Sequence, residues 1–252
     1  TCFVAIVYIM QRNRFGKGFS EVNEKYGKKA LIPNGKYAPK HPSRILIAGP
    51  SGCHKTTVFM NLILGDDPEC LMKFTRLYIV AKDLTEPYYE YLQDLFSRLQ
   101  ETADNTLIEN GDTPDQPYAF FTSDPTEFDL DMIDKDEQNL IVFDDCILDL
   151  KGDQGHAMNK FFMRGRKKNC SMIFITQDAF AKDLKFIRAQ CDYLILFDPG
   201  SASNIRNFVS EVGINGDKLL AKGREAWNDR GFVMVDKNNL TNDLGVRVGF
   251  YP

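Results

Sequence analysis

The 252-residue sequence predicts an α/β protein in which a mostly parallel central sheet is flanked by helices. Two observations predict this class: short apolar runs recur along the chain, and stretches with helical spacing of apolar residues alternate with them. The runs are apolar without interruption, which is typical of strands buried on both faces. The composition, 43% hydrophobic and 26% charged, is that of a globular protein and excludes a disordered, collagen-like or coiled-coil chain.

The apolar runs and the segments between them predict the elements in order. Strands are expected at Arg44–Ala48, Leu77–Ala81, Tyr118–Thr122, Leu140–Phe143, Ser171–Thr176 and Tyr193–Phe197, with one or two more at an edge in Gly231–Asp236 and Val246–Tyr251. Helices are expected at Thr56–Leu64, Pro87–Leu99, Ala157–Arg166, Ala179–Arg188 and Ser201–Val212. The acidic, polar stretch 104–116 predicts a loop. Alternating strands and helices indicate a parallel sheet.

Residues 1–43 differ in character from the α/β domain expected at 44–252. Residues 11–43 are polar and basic, and their glycines and prolines oppose a long helix, so we expect an extended arm. The apolar run Cys2–Met10 has about half of the ~20 residues that a membrane span needs, and basic residues follow it, so neither an anchor nor a signal peptide is expected. Residues 1–9 are either an edge strand or translated sequence upstream of a start at Met10.

The formal net charge of −4 hides a polarised chain. Residues 11–44 hold nine Lys and Arg and two Glu, a net of +7, whereas residues 101–153 hold sixteen Asp and Glu and two Lys, a net of −14. A DNA partner is therefore compatible with the acidic total. The six cysteines form no CxxC pair and the three histidines form no zinc set. We expect free thiols in a reducing compartment and no structural metal.

The first chemical motif is Gly49-Pro50-Ser51-Gly52-Cys53-His54-Lys55-Thr56, between a predicted strand and a predicted helix. It nearly matches GxxxxGK[ST], the phosphate-binding loop of P-loop proteins. Its backbone N–H groups would bind phosphate, Lys55 would reach the β and γ phosphates of ATP, and the Thr56 hydroxyl would bind Mg²⁺. Thr57, the next residue, is also predicted to bind the nucleotide. His54 replaces the second glycine, and the alternative is a turn that binds nothing.

The second motif is the apolar strand Leu140–Phe143 followed by Asp144 and Asp145. ATP hydrolysis requires a carboxylate for the magnesium shell opposite the Thr56 hydroxyl, which fits Asp144. Asp145 fits the second role, the polarisation of the attacking water. Because this region is acidic throughout, the alternative is a strand that runs into an acidic loop.

The third motif is an apolar strand that ends at Gln177, after the basic segment Arg164-Gly165-Arg166-Lys167-Lys168. The Gln177 amide can donate and accept, so it could sense a γ-phosphate or orient water; the alternative is that it caps the next helix. One arginine of the basic segment could act as an arginine finger at a neighbouring subunit's nucleotide, and its other residues could contact DNA phosphates. The alternative is a solvated helix end whose charge suits the helix dipole.

Together these motifs resemble the viral genome-packaging ATPases of the poxvirus type, found also in virophages and Maverick/Polinton elements, within the FtsK/HerA-like P-loop superfamily. The resemblance covers roughly Ser43–Val235 and implies a RecA-like fold of the additional-strand type. It rests on the order and spacing of the phosphate loop, Leu77–Asp83, Tyr88–Leu92, Phe143–Asp145, Arg164–Arg166, Gln177 and Ile187-Arg188.

The resemblance implies ATP-driven translocation of double-stranded DNA into a preformed capsid by a ring of subunits, a pentamer or hexamer. It implies that Asp145 activates water and that Gln177 senses nucleotide. Arg166 becomes the first candidate for the finger, with Arg164 and Arg188 behind it. Two departures from the pattern stand out: His54 replaces a glycine, and Lys167 stands where related sequences commonly have histidine.

The expected partners are double-stranded DNA and a capsid or portal protein, without a membrane. The expected location is the host cytoplasm or nucleus at the site of virus assembly, or the virion. We expect the basic segments to face the ring interior or a subunit boundary, and the acidic segment to face away from DNA. Two alternatives remain: a degenerate P-loop protein that binds nucleotide or DNA without hydrolysis, and another P-loop enzyme such as a helicase or a small-molecule kinase.

Overall fold

The computed structural model describes residues 32–109, 117–127, 129–146, 152–200, 205, 209, 216–240 and 245–251. In these residues eight strands form one sheet, in the order β3-β2-β4-β5-β1-β6-β7-β8. The strands are β1 Arg44–Ala48, β2 Arg76–Ala81, β3 Ala119–Thr122, β4 Asn139–Asp144, β5 Cys170–Thr176, β6 Tyr193–Leu196, β7 Val233–Asp236 and β8 Val246–Val248. Strands β1 to β6 are parallel, whereas β7 and β8 pair antiparallel at one edge.

Helices cover both faces of the sheet. The α-helices of the described ranges are α1 Lys55–Leu64, α2 Pro87–Glu109, α3 Gly152–Arg164, α4 Lys185–Gln190 and α5 Gly216–Trp227. Short 3-10 turns lie at Pro125–Glu127, Leu130–Met132, Gly165–Lys168 and Lys182–Leu184. In this described part of the chain, every helix is too short or too polar to cross a bilayer.

The strands divide their side chains between two cores, as expected for a sheet covered on both faces. Along β1, Leu46 belongs to the core that contains Phe143, Phe161 and Phe174. Its neighbours Ile45 and Ile47 belong to the other core, with Phe59 of α1. The α/β class with a mostly parallel sheet is therefore confirmed. One strand, β5, lies between β1 and β4, which is the additional-strand arrangement.

The predicted strands are all present, and three helix predictions need correction. The predicted loop at 104–116 is wrong for 104–109, because α2 continues to Glu109. Its buried stripe runs on through Leu99 to Ala103, so its acidic residues occupy the exposed face. The predicted helix Ala179–Arg188 is instead a turn followed by α4, and α3 begins earlier than predicted, at Gly152.

Several predictions fall wholly or partly outside the described residues. They concern residues 1–31 of the arm, the remainder of the predicted loop at 110–116, and the predicted helix Ser201–Val212, of which only 205 and 209 are described. Residues 32–43 contain turns and bends, and the boundary at 43 stays a prediction. The Gln138 side chain holds the start of this stretch, since it bonds to both the N–H and the carbonyl of Ile32.

Candidate active site

Parallel strands bring the three predicted motifs to one edge of the sheet. The register pairs Ala48, before the loop, with Thr176, before Gln177. It also pairs Asp144 at the end of β4 with Ile175 of β5. The side of the sheet where the parallel strands β1 to β6 end is called the carboxyl edge below, and the side where they begin is called the amino edge. Neither is the lateral edge at which β7 and β8 pair. In open parallel sheets, ligands bind outside the carboxyl ends of the strands.

The phosphate loop is packed so tightly that its first residue must be glycine. A Cβ atom on Gly49 would lie 2.5 Å from Phe197 Cβ and 2.8 Å from Cys53 Sγ. The Gly49 N–H donates to the Thr176 carbonyl at 3.2 Å, which joins the loop to β5. Gly52 has φ +75°, a left-handed conformation that glycine adopts without steric cost. Gly49 and Gly52 are therefore required by packing and by backbone conformation respectively.

His54, the departure from the motif, adopts the conformation that the motif's glycine would have. Its φ is 73° and its ψ is 27°, at the N-cap of α1. Such left-handed angles cost an L-residue on the order of 1–2 kcal/mol. The imidazole is exposed, and the His54 carbonyl accepts the N–H of Val58 at 3.0 Å, so α1 begins as the motif requires. The histidine is strained but compatible with the loop.

Lys55 connects the loop to the acidic strand. Its Nζ donates to the carbonyl oxygens of Gly49 and Pro50, at 2.8 and 2.9 Å. The ammonium is also close enough to Asp144 for its charge to lower the pKa of that carboxyl group. Thr56 follows in the first turn of α1, half-buried. The lysine and the first carboxylate therefore face the same space.

Asp144 ends β4 in a largely buried position. Burial is the main influence on its carboxyl group and raises its pKa to about 6. The Tyr89 hydroxyl donates to Asp144 Oδ2 and lowers that pKa, while the charges of Asp145 and Glu86 raise it. A cation near Asp144 would favour the ionised carboxylate.

Asp145 and Gln177 are in direct contact, although they lie 32 residues apart in the sequence. The sequence analysis predicts that both take part in one reaction. The Gln177 Nε2 group donates to Asp145 Oδ2 at 3.1 Å. Asp145 has a left-handed backbone with φ 53°, and its N–H donates to the Ile175 carbonyl at 3.2 Å. Gln177 does not cap the next helix, because the following turn has its N-cap at Ala181. That alternative for Gln177 is wrong.

The donor set suits magnesium held together with phosphate. In the ranges that the structure describes, no three His, Cys, Asp or Glu side chains are grouped so as to hold a metal ion. Mg²⁺ typically takes one or two protein ligands and completes its shell with water and phosphate oxygens. Asp144 and the Thr56 hydroxyl are the two ligands of that kind predicted from the sequence, and the parallel register brings the ends of β4 and of β1, the strand before Thr56, to the same carboxyl edge on either side of β5.

Two of the three arginine candidates lie away from this edge. Arg164 and Arg166 precede β5, at the amino edge, where Arg166 Nη1 lies 3.7 Å from Asp192 Oδ1. They cannot reach the phosphate loop of their own chain. Arg188 is buried, and its Nη1 donates to the Ala179 carbonyl at 2.7 Å, so its place as a reserve finger candidate is wrong.

A cavity of about 310 Å³ adjoins the loop. It lies between Gly49-Pro50 and the segments that follow β5 and β6, Gln177–Phe180 and Phe197–Gly200. Phe180 and Leu196 are among its apolar lining residues, and two aspartates of the same segments also line it. Phe180, Leu196 and the two aspartates were not predicted as site residues from the sequence. Their position at or just after the ends of two strands was a signal that could have identified them. Tyr89 was also missed.

Comparisons with known proteins concern the fold. No family model and no curated protein matches the chain. Solved structures similar to it include the genome packaging NTPase B204 from Sulfolobus turreted icosahedral virus 2 in complex with AMPPCP, at 15% identity and a TM-score of 0.49 over 82% of this chain and 96% of that one. Another is VirB4 of Thermoanaerobacter pseudethanolicus, at 12% identity and a TM-score of 0.48 over 83% and 90%. One of these structures is a viral genome packaging NTPase.

Proposed function

We propose that this protein is an ATP-hydrolysing motor that moves double-stranded DNA into a capsid as a ring of subunits. One observation carries the ATPase part: the phosphate loop, Asp144, Asp145 and Gln177 meet at the carboxyl edge, with Gln177 bonded to Asp145. Phosphoryl transfer to water needs a phosphate cradle, a metal-binding carboxylate and a group that orients the water. The resemblance and the basic segment support the DNA and ring parts.

The chain's own groups divide the chemistry between them. Loop N–H groups and the positive end of α1 bind the phosphates, and phosphate oxygens replace the two carbonyl partners of the Lys55 ammonium. Asp144 and Thr56 would hold Mg²⁺, which would neutralise phosphate charge when bound. Asp145 accepts a hydrogen bond from the attacking water. The Gln177 amide fixes the Asp145 carboxylate and is placed to exchange that bond for one to the γ-phosphate.

DNA binding is assigned to the basic segment at the amino edge. Arg164, Arg166 and Lys167 are exposed there, within one turn of chain. Contacts to DNA phosphates alone give binding that is independent of base sequence, as translocation requires. Such binding also weakens as the salt concentration rises. Because Arg166 cannot reach its own phosphate loop, its action as a finger requires a neighbouring subunit.

The test is phosphate release from ATP, with and without double-stranded DNA, over a range of protein concentrations. A rate that DNA stimulates and that rises per subunit with concentration supports a shared site. Lys55→Ala should reduce the rate at least about 100-fold, since the phosphate contacts of the loop lysine are lost. Lys135→Ala, an exposed lysine before β4, is the matched control. A Lys55→Ala protein with the parental rate would refute the site.

A second candidate, a P-loop protein that no longer hydrolyses ATP, is favoured by one observation, the strained His54 at φ 73°. His54→Gly separates the two. For the motor, this variant keeps or modestly raises hydrolysis, because the loop loses strain. An inactive parent whose His54→Gly variant hydrolyses ATP would support the degenerate protein instead.

A further inference from the structure

Tyr89 makes a contact that the proposed chemistry has not used. It lies in the first turn of α2, its side chain is buried, and its hydroxyl donates to Oδ2 of Asp144. The residue belongs to the core that also contains Phe59 of α1 and Ile79 of β2. The ring is therefore packed in the core, and its hydroxyl reaches Asp144 of the site.

The start of α2 is held in place by further hydrogen bonds. The Tyr89 N–H donates to the Glu86 carbonyl at 2.9 Å. The Gln93 side chain donates to the carbonyls of Tyr89 and Leu84, at 3.3 and 3.0 Å. A buried ring on a fixed helix start has a fixed hydroxyl position. The donor that meets Asp144 is thus preorganised.

Asp144 needs such a partner because its own torsion does not fix the carboxylate. The χ2 torsion of aspartate has a broad preference, so the two oxygens can rotate unless they are bonded. The bond from Tyr89 to Oδ2 restricts the rotation of the carboxylate, and no donor among the residues that the structure describes occupies Oδ1, which leaves that oxygen available to a ligand. Outer hydrogen bonds of this kind orient metal-binding carboxylates and affect metal affinity.

We propose that Tyr89 is a positioning residue that fixes the Asp144 carboxylate and thereby sets the affinity of the nucleotide site for magnesium. This inference rests on the proposed function, which makes Asp144 a metal ligand. Tyr89 acts through Asp144 and not on the nucleotide. Its loss should therefore weaken metal binding while nucleotide binding without metal stays unchanged.

The experiment measures Mn²⁺, as a magnetic substitute for Mg²⁺, bound to the full chain with a non-hydrolysable ATP analogue. Tyr89→Phe should raise the dissociation constant for Mn²⁺ about 10-fold, the lower end of the effect of outer-sphere partners. Half-maximal hydrolysis should need correspondingly more Mg²⁺, with a nearly parental kcat at saturating Mg²⁺. Tyr89→His, whose ring can still donate, should recover part of the Mn²⁺ affinity.

Tyr193→Phe is the matched control. Tyr193 is also buried, and its hydroxyl accepts the N–H of Lys40 at 3.2 Å at the amino edge. This control loses a buried hydroxyl as well, so it should show a similar small fall in melting temperature with parental Mn²⁺ affinity. An equal loss of metal affinity in both variants would assign the effect to general loosening and overturn the proposal.

Asp144→Asn separates failure of this inference from failure of the proposed function. If Asp144→Asn weakens Mn²⁺ binding and Tyr89→Phe does not, Tyr89 has no positioning role and the site assignment stands. If neither change affects Mn²⁺ binding, Asp144 is not a metal ligand and both proposals fall. Should Tyr89→Phe not fold, Tyr89→Met takes its place, because it also lacks the hydroxyl that meets Asp144, and a parental Mn²⁺ affinity in that variant overturns the inference.

Discussion

The two edges of the sheet carry polar side chains for different purposes. At the amino edge, Asp192 accepts from the Arg44 N–H at 3.0 Å and from its guanidinium at 3.2 Å, while Arg44 also donates to Gln190 at 3.0 Å. Nearby, the two ring nitrogens of His41 lie 2.9 Å from Asn169 Oδ1 and 2.8 Å from Ser171 Oγ. These groups are half-buried or buried and bonded to one another.

At the carboxyl edge the candidate residues are more exposed, and one carboxyl group has a perturbed pKa. Asp145 and Gln177 are exposed, and the carboxyl group of Asp144 has a pKa raised to about 6 by burial. His54 and Asp145 both have positive φ. Strain and perturbed pKa values concentrate at functional sites, whereas satisfied networks serve stability. The comparison teaches that exposure together with a perturbed carboxyl group, and not the mere presence of polar groups, distinguishes the candidate site from the hydrogen-bonded network at the amino edge.

The largest effect is expected from a substitution at the carboxyl edge that lowers the rate of hydrolysis and leaves the fold intact. Asp145→Asn should lower kcat for ATP hydrolysis about 10²- to 10⁴-fold, because the amide cannot act as a base toward water. Nucleotide affinity and the free energy of unfolding should stay close to parental, since Asp145 is exposed. Initial rates and an equilibrium titration check this. A kcat within threefold of the parent would remove Asp145 from the reaction.

The second largest effect is expected on stability, from a substitution that breaks the Arg44–Asp192 ion pair at the amino edge. Asp192→Asn should lower the free energy of unfolding by about 2–3 kcal/mol, less than for a fully buried pair because Arg44 and Asp192 keep 14% of their side-chain surface exposed. ATP affinity should not change. Asp94→Asn, which breaks the exposed Arg98–Asp94 pair, should cost less than about 0.5 kcal/mol and serves as the control. Chemical denaturation measures both, and equal losses would contradict the comparison.

The smallest effect is a pH dependence at the amino edge. Burial lowers the pKa of His41 below its usual 6.5, although the bond to Asn169 opposes this. The unfolded chain therefore binds a proton more readily, so His41 contributes stability that is present above pH 6.5 and is lost as pH falls through its folded pKa. Each unit of depression is worth about 1.4 kcal/mol.

His41→Gln tests this dependence, because glutamine does not titrate. The free energy of unfolding of the variant should fall less steeply between about pH 7 and pH 5 than that of the parent. Denaturation at three pH values provides the comparison. Parallel slopes for the two proteins would show that His41 does not supply the difference.

Most elements with a strong local pattern were predicted from the sequence, although helix α5 at Gly216–Trp227 was not. The strands were predicted because their apolar runs are continuous, and the candidate site was predicted because Lys55, Asp145 and Gln177 follow strands. The end of α2 was missed because its acidic composition obscured a stripe that ends at Ala103. The pair Tyr89–Asp144 spans 55 residues, so no local pattern reveals it. The burial of Arg188 likewise depends on how distant segments pack.

Strand β5 has a mechanical consequence. All seven of its residues are buried, its first follows the basic segment, and its last precedes Gln177. At about 3.3 Å per residue, β5 holds its two ends, Cys170 and Thr176, roughly 20 Å apart. A stiff, fully packed strand cannot shorten, so a ligand at the basic segment and one at the glutamine keep a constant separation within one subunit. For the motor proposed above, this rigidity predicts that the stroke comes from rotation of whole subunits against each other.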